Sequence, residues 1–235
     1  MNDAALLALW EAAWPLPPLR RAQCLAQAAG AAPDASLGAC NAALLRLRAK
    51  LAGPALQLLA RCPECAAELE FEIDTRALPV AGAADGLHEL QSGDTRVRFR
   101  APTAEDLAAL AGFGDAATAA RALFERCIVD ASASGRSLAP AELNADMQRA
   151  VAQALDLADP LAALAFDLAC PACERAFTAP LDLAAVTHAE LRHRAEAVLA
   201  DVAALAGAYG WREGDVLALS PLRRAAYLQL AGASA

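Results

Sequence analysis

The chain has 235 residues, a net charge of −8, and 57% hydrophobic but only 5% aromatic residues. This length allows one large domain or two small ones with a true hydrophobic core. Much of the apolar content is alanine, which favours closely packed helices. Nucleic-acid binding is disfavoured, because a phosphate-binding groove needs a basic patch. The arginines here are scattered in short groups that are typical of solvated faces.

Neither a membrane segment nor a secretion signal is expected. No apolar run reaches the roughly 18 residues that span a bilayer. The N-terminus, MNDAALLALWEAAW, is apolar but has neither a basic n-region nor a small-residue cleavage pattern. Seven cysteines, an odd number, fit a reducing compartment better than a disulfide framework. We therefore expect a cytoplasmic protein that does not insert into a membrane.

The N-terminal part of the chain predicts helices. Apolar residues recur at three- and four-residue steps over residues 3–14, about 18–29 and 37–51. Prolines after the first helix end it and can open the second one, and Gly53-Pro54 interrupts the third. A last helical turn is expected to run to about Leu59.

The middle of the chain carries strand and helix patterns in turn. Alternation of apolar and polar residues predicts half-buried strands. These strands cover residues 69–73, 87–91, 95–100 and 164–168. Helices are predicted over residues 103–112, 115–129 and 140–157. Loops are predicted over residues 78–86 and 131–138.

The C-terminal part is again predicted to be helical. One apolar stripe runs from Leu191 to Tyr209 and ends at Gly210. A short helix follows over about 212–219. Ser220-Pro221 then supplies an N-cap and a first-turn proline, which open the last helix.

Two Cys-Pro-x-Cys turns, called knuckles below, form an internal repeat. The segments CPECAAELEFEID (62–74) and CPACERAFTAPLD (170–182) align without a gap. Both cysteines, the proline and the final aspartate coincide, and each knuckle is followed by a strand pattern. One knuckle would leave zinc half-coordinated, whereas two complete a tetrahedral set of four thiolates. Such a closed site leaves no position for a reacting water, so a structural role is indicated.

The predicted ligands of one structural Zn²⁺ ion are Cys62, Cys65, Cys170 and Cys173. Two alternatives remain open at this point, namely disulfides or redox dithiols, and a site without metal. A redox pair would need a thioredoxin-like context in which C-x-x-C caps a helix, whereas strands follow both knuckles here. The remaining cysteines, Cys24, Cys40 and Cys127, lie on apolar helical faces and are predicted to be core residues.

No catalytic constellation is recognised in the sequence. There is no Ser/His/Asp order, HExxH motif, Gly-rich phosphate loop or carboxylate pair in an apolar setting. The three histidines are predicted to be surface or satisfied residues. We therefore expect no enzyme activity and no small-molecule substrate.

The predicted fold is α+β and mainly α. A small antiparallel zinc ribbon is formed by the two distant knuckles, with a helical insertion between them, in one discontinuous globular unit. The predicted regions are a helical region 1–61, the first knuckle and strands 62–100, the helical insertion 101–160, the second knuckle and strands 161–183, and a helical region 184–235.

A further similarity runs through LLALWEAAWPLPPLRRAQCLAQAA, both knuckles, VRFRAPTAEDLAAL and LAGAYGWREGDVLALSPLRRAAYLQL, and covers nearly the full length. In their order and spacing, these segments resemble a family of baseplate proteins from T4-type phages and related contractile injection systems, often called baseplate hub assembly chaperones. This resemblance implies a non-enzymatic role in building or forming a baseplate, with other baseplate or hub proteins as partners. The protein would be cytoplasmic or incorporated into the assembled particle. The chain departs from the usual zinc knuckle at Ala66 and Glu174, where glycine is common.

Two other functions are weighed against the baseplate role. A zinc-ribbon regulator that binds nucleic acid has the right knuckles but the wrong net charge. A dithiol redox enzyme would have cysteines that cycle with reductant. For partner binding we select the three tryptophans, Trp10, Trp14 and Trp211, because tryptophan is enriched at binding hot spots. Trp10 and Trp14 stand one helical turn apart and project from the same face.

Overall fold

The structure is a computed structural model that describes residues 1–78 and 86–232. Its helices are α1 (Asp3–Ala13), α2 (Pro18–Ala28), α3 (Leu37–Ala52), α4 (Ala104–Ala109), α5 (Ala116–Cys127), α6 (Ala145–Ala158), α7 (Leu183–Tyr209), α8 (Glu213–Leu217) and α9 (Pro221–Leu230). The predicted class, α+β and mainly α, is confirmed. The loop predicted over 78–86 lies almost wholly outside the described residues.

The strands form three small antiparallel sheets in the described part of the chain. They are β1 (Ala55–Arg61), β2 (Glu68–Asp74), β3 (His88–Ser92), β4 (Thr95–Phe99), β5 (Ile128–Ala133), β6 (Arg136–Ser137), β7 (Ala165–Ala169) and β8 (Ala176–Pro180). Strands β1 and β2 form one hairpin and β7 and β8 another, while β3–β4–β5–β6 make a four-stranded sheet. Each of the two hairpins carries one knuckle at its turn.

Helices α1, α2, α3 and α7 form a bundle around the largest apolar core. Their amphipathic faces supply its buried members, including Leu25, Leu44 and Leu191. A side-chain cap starts α3, where Ser36 accepts a hydrogen bond from the backbone N–H of Ala39 at 3.1 Å. Gly210, with φ of 68°, is the left-handed residue that ends α7, as the sequence predicts.

The segment between the knuckles has a separate core. Val97 and Phe99 of β4 pack there with Ala131 of β5 and with Met147 and Val151 of α6. The predicted loop over 131–138 is wrong, because β5 and β6 occupy most of it. The sequence there is rich in Ser and Gly, and pairing with β4 outweighs the weak local preference of those residues. The predicted insertion is therefore helical and partly β-structured.

Two helix predictions also need correction. No helical turn runs to Leu59, since residues 55–61 form strand β1. Alanine, leucine and glutamine favour helix locally, but pairing with β2 decides their conformation. Pro140 opens a short 3₁₀ turn at Pro140–Glu142, and α6 begins only at Ala145, where Asn144 is the N-cap.

Some arginines are buried, contrary to the expectation of solvated faces. Arg48 is 2% exposed and bonds to Glu190 of α7, at 3.0 Å, and to the carbonyls of Gly53 and Ala55. Arg224 is also buried and contacts Asp3 of α1 at 2.5 Å, which ties α9 to the bundle. Arg48 thus satisfies polar groups where α3 meets α7 and the first hairpin, whereas Arg224 joins α9 to α1 through an ion pair.

A buried carboxylate organises the start of the inserted segment. Asp106 is 1% exposed and accepts hydrogen bonds from Arg100, at 2.6 Å, and from Arg126, at 3.0 Å. It also forms a capping box with Thr103 at the N-terminus of α4. Burial acts to raise the pKa of Asp106, but the bonds from Arg100 and Thr103 outweigh it and hold that pKa well below its ordinary value.

None of the helices in the described ranges is long and apolar enough to cross a bilayer. The division of the chain into five regions that together make one discontinuous unit stays a prediction.

Candidate metal centre

Each knuckle is the tight turn of a two-stranded hairpin. The first lies between β1 and β2, and their pairing runs without irregularity from Ala55–Asp74 to Arg61–Glu68. The second lies between β7 and β8, whose register ends at Ala169–Ala176 beside the turn. The sequence predicts the strand after each knuckle and the one before the second. It misses β1, so the two knuckles are more alike than the sequence alone indicates.

The two turns have the same backbone hydrogen bonds. In the first, Cys62 N–H donates to Ala67 C=O at 2.9 Å, and Ala66 N–H donates to Cys62 C=O at 3.0 Å. In the second, Cys170 N–H donates to Arg175 C=O at 2.9 Å, and Glu174 N–H donates to Cys170 C=O at 2.8 Å. The repeated sequence therefore folds into a repeated turn.

The residue after the second cysteine of each knuckle has left-handed backbone geometry. Ala66 has φ of 61° and Glu174 has φ of 59°. Glycine adopts this conformation at little cost, whereas a side chain makes it strained. The departure from the usual glycine therefore leaves the turn geometry intact and adds strain at both knuckles.

The final aspartate of the repeat has the same task in both copies. Asp74 accepts a hydrogen bond from the backbone of Arg76 and caps a short 3₁₀ turn, Thr75–Ala77. Asp182 accepts from the backbone of Ala185 at 2.9 Å and caps α7. Each aspartate therefore follows or ends the second strand of its hairpin and caps the next helical element.

The four knuckle cysteines meet at one point. Their sulfur atoms all lie within 4.8 Å of one another. The nearest pairs run between the knuckles, with Cys62 Sγ at 3.7 Å from Cys173 Sγ and Cys65 Sγ at 3.6 Å from Cys170 Sγ. Cys62 and Cys170 are buried, whereas Cys65 and Cys173 are exposed. Two chain segments more than a hundred positions apart thus meet at these sulfur atoms.

The sulfur positions fit a tetrahedral metal site. A tetrahedron with metal–sulfur bonds of ~2.3 Å has edges of ~3.8 Å, close to the separations of 3.6 and 3.7 Å between knuckles. A disulfide would need sulfur atoms at ~2.05 Å. All seven cysteines are free thiols in this structure. The arrangement can hold one metal ion with four protein ligands.

The thiols of the cluster differ in acidity. Hydrogen bonds from the backbone N–H groups of Cys65 and Glu64 stabilise the Cys62 thiolate. They outweigh the effect of desolvation and lower the pKa of Cys62 to about 7. At Cys173 the backbone N–H of Arg175 lowers the pKa, but desolvation and the neighbouring thiols outweigh it and raise the pKa to about 12. A metal ion would bind the thiolate forms and so compete with protons for the cluster.

The inner faces of the two hairpins pack together below the cysteines. Phe71 of β2 and Phe166 of β7 meet edge to face, with ring centroids 5.8 Å apart. Arg48 fastens the start of the first hairpin to the bundle through the carbonyls of Gly53 and Ala55. This link could not be predicted from the sequence, because Arg48 stands among other basic residues.

The predicted partner-binding tryptophans lie at two separate places. Trp10 and Trp14 of the first helix have ring centroids 5.5 Å apart, and Trp14 is 53% exposed. Trp10 is half-buried against the bundle core, so only part of this pair faces solvent. Trp211 packs against Tyr209, at 4.8 Å, and Tyr227, at 4.9 Å, beside the core of α8 and α9. No direct contact joins them to the cysteine cluster.

The three cysteines predicted to be core residues differ in burial. Cys127 is buried, and burial, followed by the nearby Asp106 carboxylate, raises its pKa to about 11. Cys24 and Cys40 are half-buried against the bundle core. None of the three belongs to the four-cysteine cluster.

The fold and the cluster together define a mainly α protein in which two distant knuckles meet at a four-cysteine site. A family model described as T4 bacteriophage base plate protein matches residues 23–176, which is more than half of the chain. The chain belongs to this family. The matched residues include all four cysteines of the cluster and end at the first residue of β8. No curated protein and no solved structure matches the chain.

Proposed function

We propose that this protein is a non-enzymatic component in the building of a contractile baseplate, and that one structural zinc ion stabilises it. The main support is the match to the base plate protein family over residues 23–176, a span that contains both knuckles. The role is assembly or incorporation through contacts with other baseplate or hub proteins. These contacts take place in the cytoplasm, and the protein either leaves or remains in the finished particle.

The donor set supports zinc as the metal. Four thiolates at tetrahedral spacing are the ligands of closed structural zinc sites. Once all four positions are taken, none is left for water or substrate, which supports a structural task. Zinc at this point would lock the β1–β2 hairpin to the β7–β8 hairpin. The proposed ligands are Cys62, Cys65, Cys170 and Cys173.

Nucleic-acid binding by the ribbon is the less favoured alternative. The solvent-facing side of β2 carries three glutamates, Glu68, Glu70 and Glu72, all exposed. They would repel a phosphate backbone, which basic residues normally contact. The net charge of −8 acts in the same direction. A protein partner with basic residues is a better match to this surface.

Trp14 is the tryptophan whose exposure best supports a partner contact. It is 53% exposed beside Trp10 and stands at the end of the first helix. Trp14→Ala should leave metal content and thermal unfolding unchanged while baseplate proteins co-purify less well. Trp211→Ala serves as a contrast, because its packing against two tyrosines should make it mainly destabilising. If Trp14→Ala unfolds the protein or leaves co-purification intact, Trp14 is not a contact residue.

Gene deletion tests the proposed role in assembly. Sheath and tube proteins should still be expressed in the deletion strain, while electron microscopy should show tails that lack baseplates or no assembled particles. Complementation with wild-type protein should restore them. Mass spectrometry of purified wild-type particles then separates a resident subunit from an assembly factor that leaves. Normal particles that contract in the deletion strain would refute an essential assembly role.

A further inference from the structure

Strand β1 has a free edge that the rest of the ribbon does not cover. Its ladder to β2 is bounded by bonds from Thr75 N–H to Pro54 C=O and from Cys62 N–H to Ala67 C=O, both 2.9 Å. Because bonded and non-bonded pairs alternate in antiparallel sheets, the N–H and C=O groups of Gln57 and Leu59 point away from β2. Within the described residues, β1 pairs with no other strand.

The other ribbon edges carry residues that discourage strand pairing. The β2 edge has alternating glutamates, β8 ends in Pro180, and Asp167 lies in the middle of β7. Charges and proline are the usual means by which proteins protect sheet edges. The middle of β1 has none, and its register is regular throughout. The repeat allows a direct comparison of the β1 and β7 edges. Leu59 before the first knuckle and Asp167 before the second occupy corresponding positions.

An apolar groove runs beside this edge. In the repeat, Leu58 corresponds to Phe166 and Ala179 corresponds to Phe71. The two phenylalanines fill one side of the ribbon with their edge-to-face contact. The smaller Leu58 and Ala179 leave room beside these rings, and together with Phe177 and the two phenylalanines they line a cavity of about 430 Å³. Side chains from a strand added to β1 could enter this space.

The outer face of the hairpin determines the charge of the partner. Leu59 is 61% exposed and lies opposite Glu70 in the ladder. A lysine or arginine next to Leu59 on an added strand would cover the leucine with its methylene groups and reach Glu70 with its charged end. Glu68 and Glu72 flank Glu70 on the same face and extend the acidic surface.

We propose that β1 binds an extended strand of a partner protein by β-augmentation. The partner strand alternates apolar side chains, which enter the groove by Leu58 and Ala179, with lysine or arginine, which meet the glutamates of β2. That this partner is a baseplate protein rests on the function proposed above, whereas the strand-binding edge does not. A second copy of this chain is a poorer partner, because its own hairpin would bring a second acidic face alongside the first.

Synthetic peptides test the proposal on the purified full-length protein. The probe is a fluorescently labelled peptide of alternating valine and lysine with the length of β1, 7 residues. A valine–glutamate peptide tests charge. A valine–lysine peptide with N-methyl groups on every second residue tests backbone pairing, because it cannot donate those hydrogen bonds. Binding is followed by fluorescence anisotropy at low and high salt, and the oligomeric state by sedimentation.

The protein variants form a matched pair in the repeat. Leu59→Lys places a charge on the β1 edge and should weaken binding of the valine–lysine peptide by at least about tenfold. Asp167→Lys places the same charge on the β7 edge and should leave binding unchanged. Glu70→Gln should weaken binding and its salt dependence.

Three results would overturn the proposal. They are the absence of saturable binding to the wild-type protein, equal binding by Leu59→Lys, and equal binding of the N-methylated or glutamate peptide. If the wild-type protein is a dimer that Leu59→Lys dissociates, the β1 edge binds a second copy of this chain and not a partner protein. All these outcomes are independent of the gene-deletion result, so a failure here is distinguishable from a failure of the baseplate role.

Discussion

The helical bundle and the ribbon are held together by different means. The bundle core has many fully buried apolar residues from four helices, such as Leu25, Ala43 and Leu191. In the ribbon, strands β2, β7 and β8 alternate between exposed and half-buried residues, and only β1 has buried side chains, those of Leu56 and Ala60. Apolar burial at ~25 cal/mol per Å² therefore stabilises the bundle far more than the ribbon.

This difference explains why the cysteines lie where they do. A hairpin pair with half-open inner faces has too little burial to offset the entropy of ordering its chain. A metal ion that bound only the folded cluster, as proposed above, would supply the missing free energy. The bundle contributes none of its helical residues to the cluster and does not need the ion in this way. The following predictions test that division.

Removal of the metal should have the largest effect. In a Cys62→Ser/Cys170→Ser double variant, zinc content should fall to background and the free energy of unfolding should decrease by about 4 kcal/mol, which is the linkage expected for zinc at a thousandfold its Kd. Hydrogen exchange should accelerate in β2 and β8 while α3 and α7 stay protected. The measurements are elemental analysis, urea unfolding and exchange mass spectrometry.

Cys24→Ser is the control for that experiment, since Cys24 is half-buried and outside the cluster. It should retain zinc. Zinc that persists in the double variant, or an unchanged unfolding curve after verified metal loss, would disprove the structural role of the ion. Loss of the helical circular dichroism signal in the double variant would show that folding of the bundle depends on the ribbon.

Arg48 is the point where the two regions are joined, and its loss should affect both. Arg48→Leu removes a buried guanidinium and leaves Glu190 and two backbone carbonyls without their donor. Unpaired buried groups of this kind cost roughly 3 kcal/mol. Arg46→Leu, on the exposed side of the same helix, should cost little. Equal unfolding free energies for the two variants would mean that the Arg48 network does not couple bundle and ribbon.

Asp106 provides a reference outside both regions. Asp106→Asn should lower the free energy of unfolding at pH 7 by about 2 kcal/mol, because it weakens bonds to Arg100 and Arg126 and the cap of α4. The pKa of Asp106 is lowered in the folded state, so its stabilisation is complete above the unfolded pKa of ~3.9 and is lost as pH falls through the folded pKa.

Urea unfolding at several pH values measures this contribution. The difference between wild type and Asp106→Asn should be constant from pH 7 to about pH 5 and should shrink below about pH 4. Glu105→Gln, an exposed neighbour on the same helix, should show a far smaller difference. A difference that grows as the solution is acidified would contradict the assigned direction.

The smallest expected effect is a gain in the ribbon. Ala66→Gly should relieve the positive φ of 61° and stabilise the protein by roughly 0.5–1 kcal/mol. Glu174→Gly should stabilise the protein in the same way at the second knuckle. Ala67→Gly, next to the first site but without a positive φ, should be neutral or destabilising. If Ala66→Gly lowers the melting temperature, strain at this turn is not what limits the ribbon.

The sequence was most informative where a pattern repeats. The helices of the bundle follow from apolar residues at helical steps, and the cysteine cluster follows from the two knuckles. Strand β1 could not be recognised, since Leu58 and Leu59 are both apolar and interrupt the alternation. Its conformation depends on β2, which is a tertiary partner. The predicted metal ligands do converge, although no local pattern indicates their mutual distances.

The burial of Arg48 could not be predicted from the sequence for a related reason. Arg46 and Arg48 are close together in the same helix, yet Arg46 is exposed whereas Arg48 is buried, with 2% of its surface exposed. Arg48 is buried because it bonds to Glu190 of α7 and to the carbonyl of Gly53, which lies just beyond the end of α3. Trp14 illustrates the converse, because helical spacing predicts that it shares a face with Trp10, yet Trp10 is half-buried and Trp14 is 53% exposed. Its helix ends there, and the core does not extend that far.

The span of the cysteine cluster affects how the protein is made. Cys65 and Cys170 are 105 positions apart, so the first knuckle leaves the ribosome well before its partner. At ~5–20 residues per second, synthesis of the intervening segment takes roughly 5–20 seconds. During that interval the nascent chain has two thiols and the open edge of β1 without the second hairpin. If zinc is the ion, as proposed, it can be bound by all four cysteines only after this interval, and until then the first two thiols depend on the reducing conditions around the nascent chain.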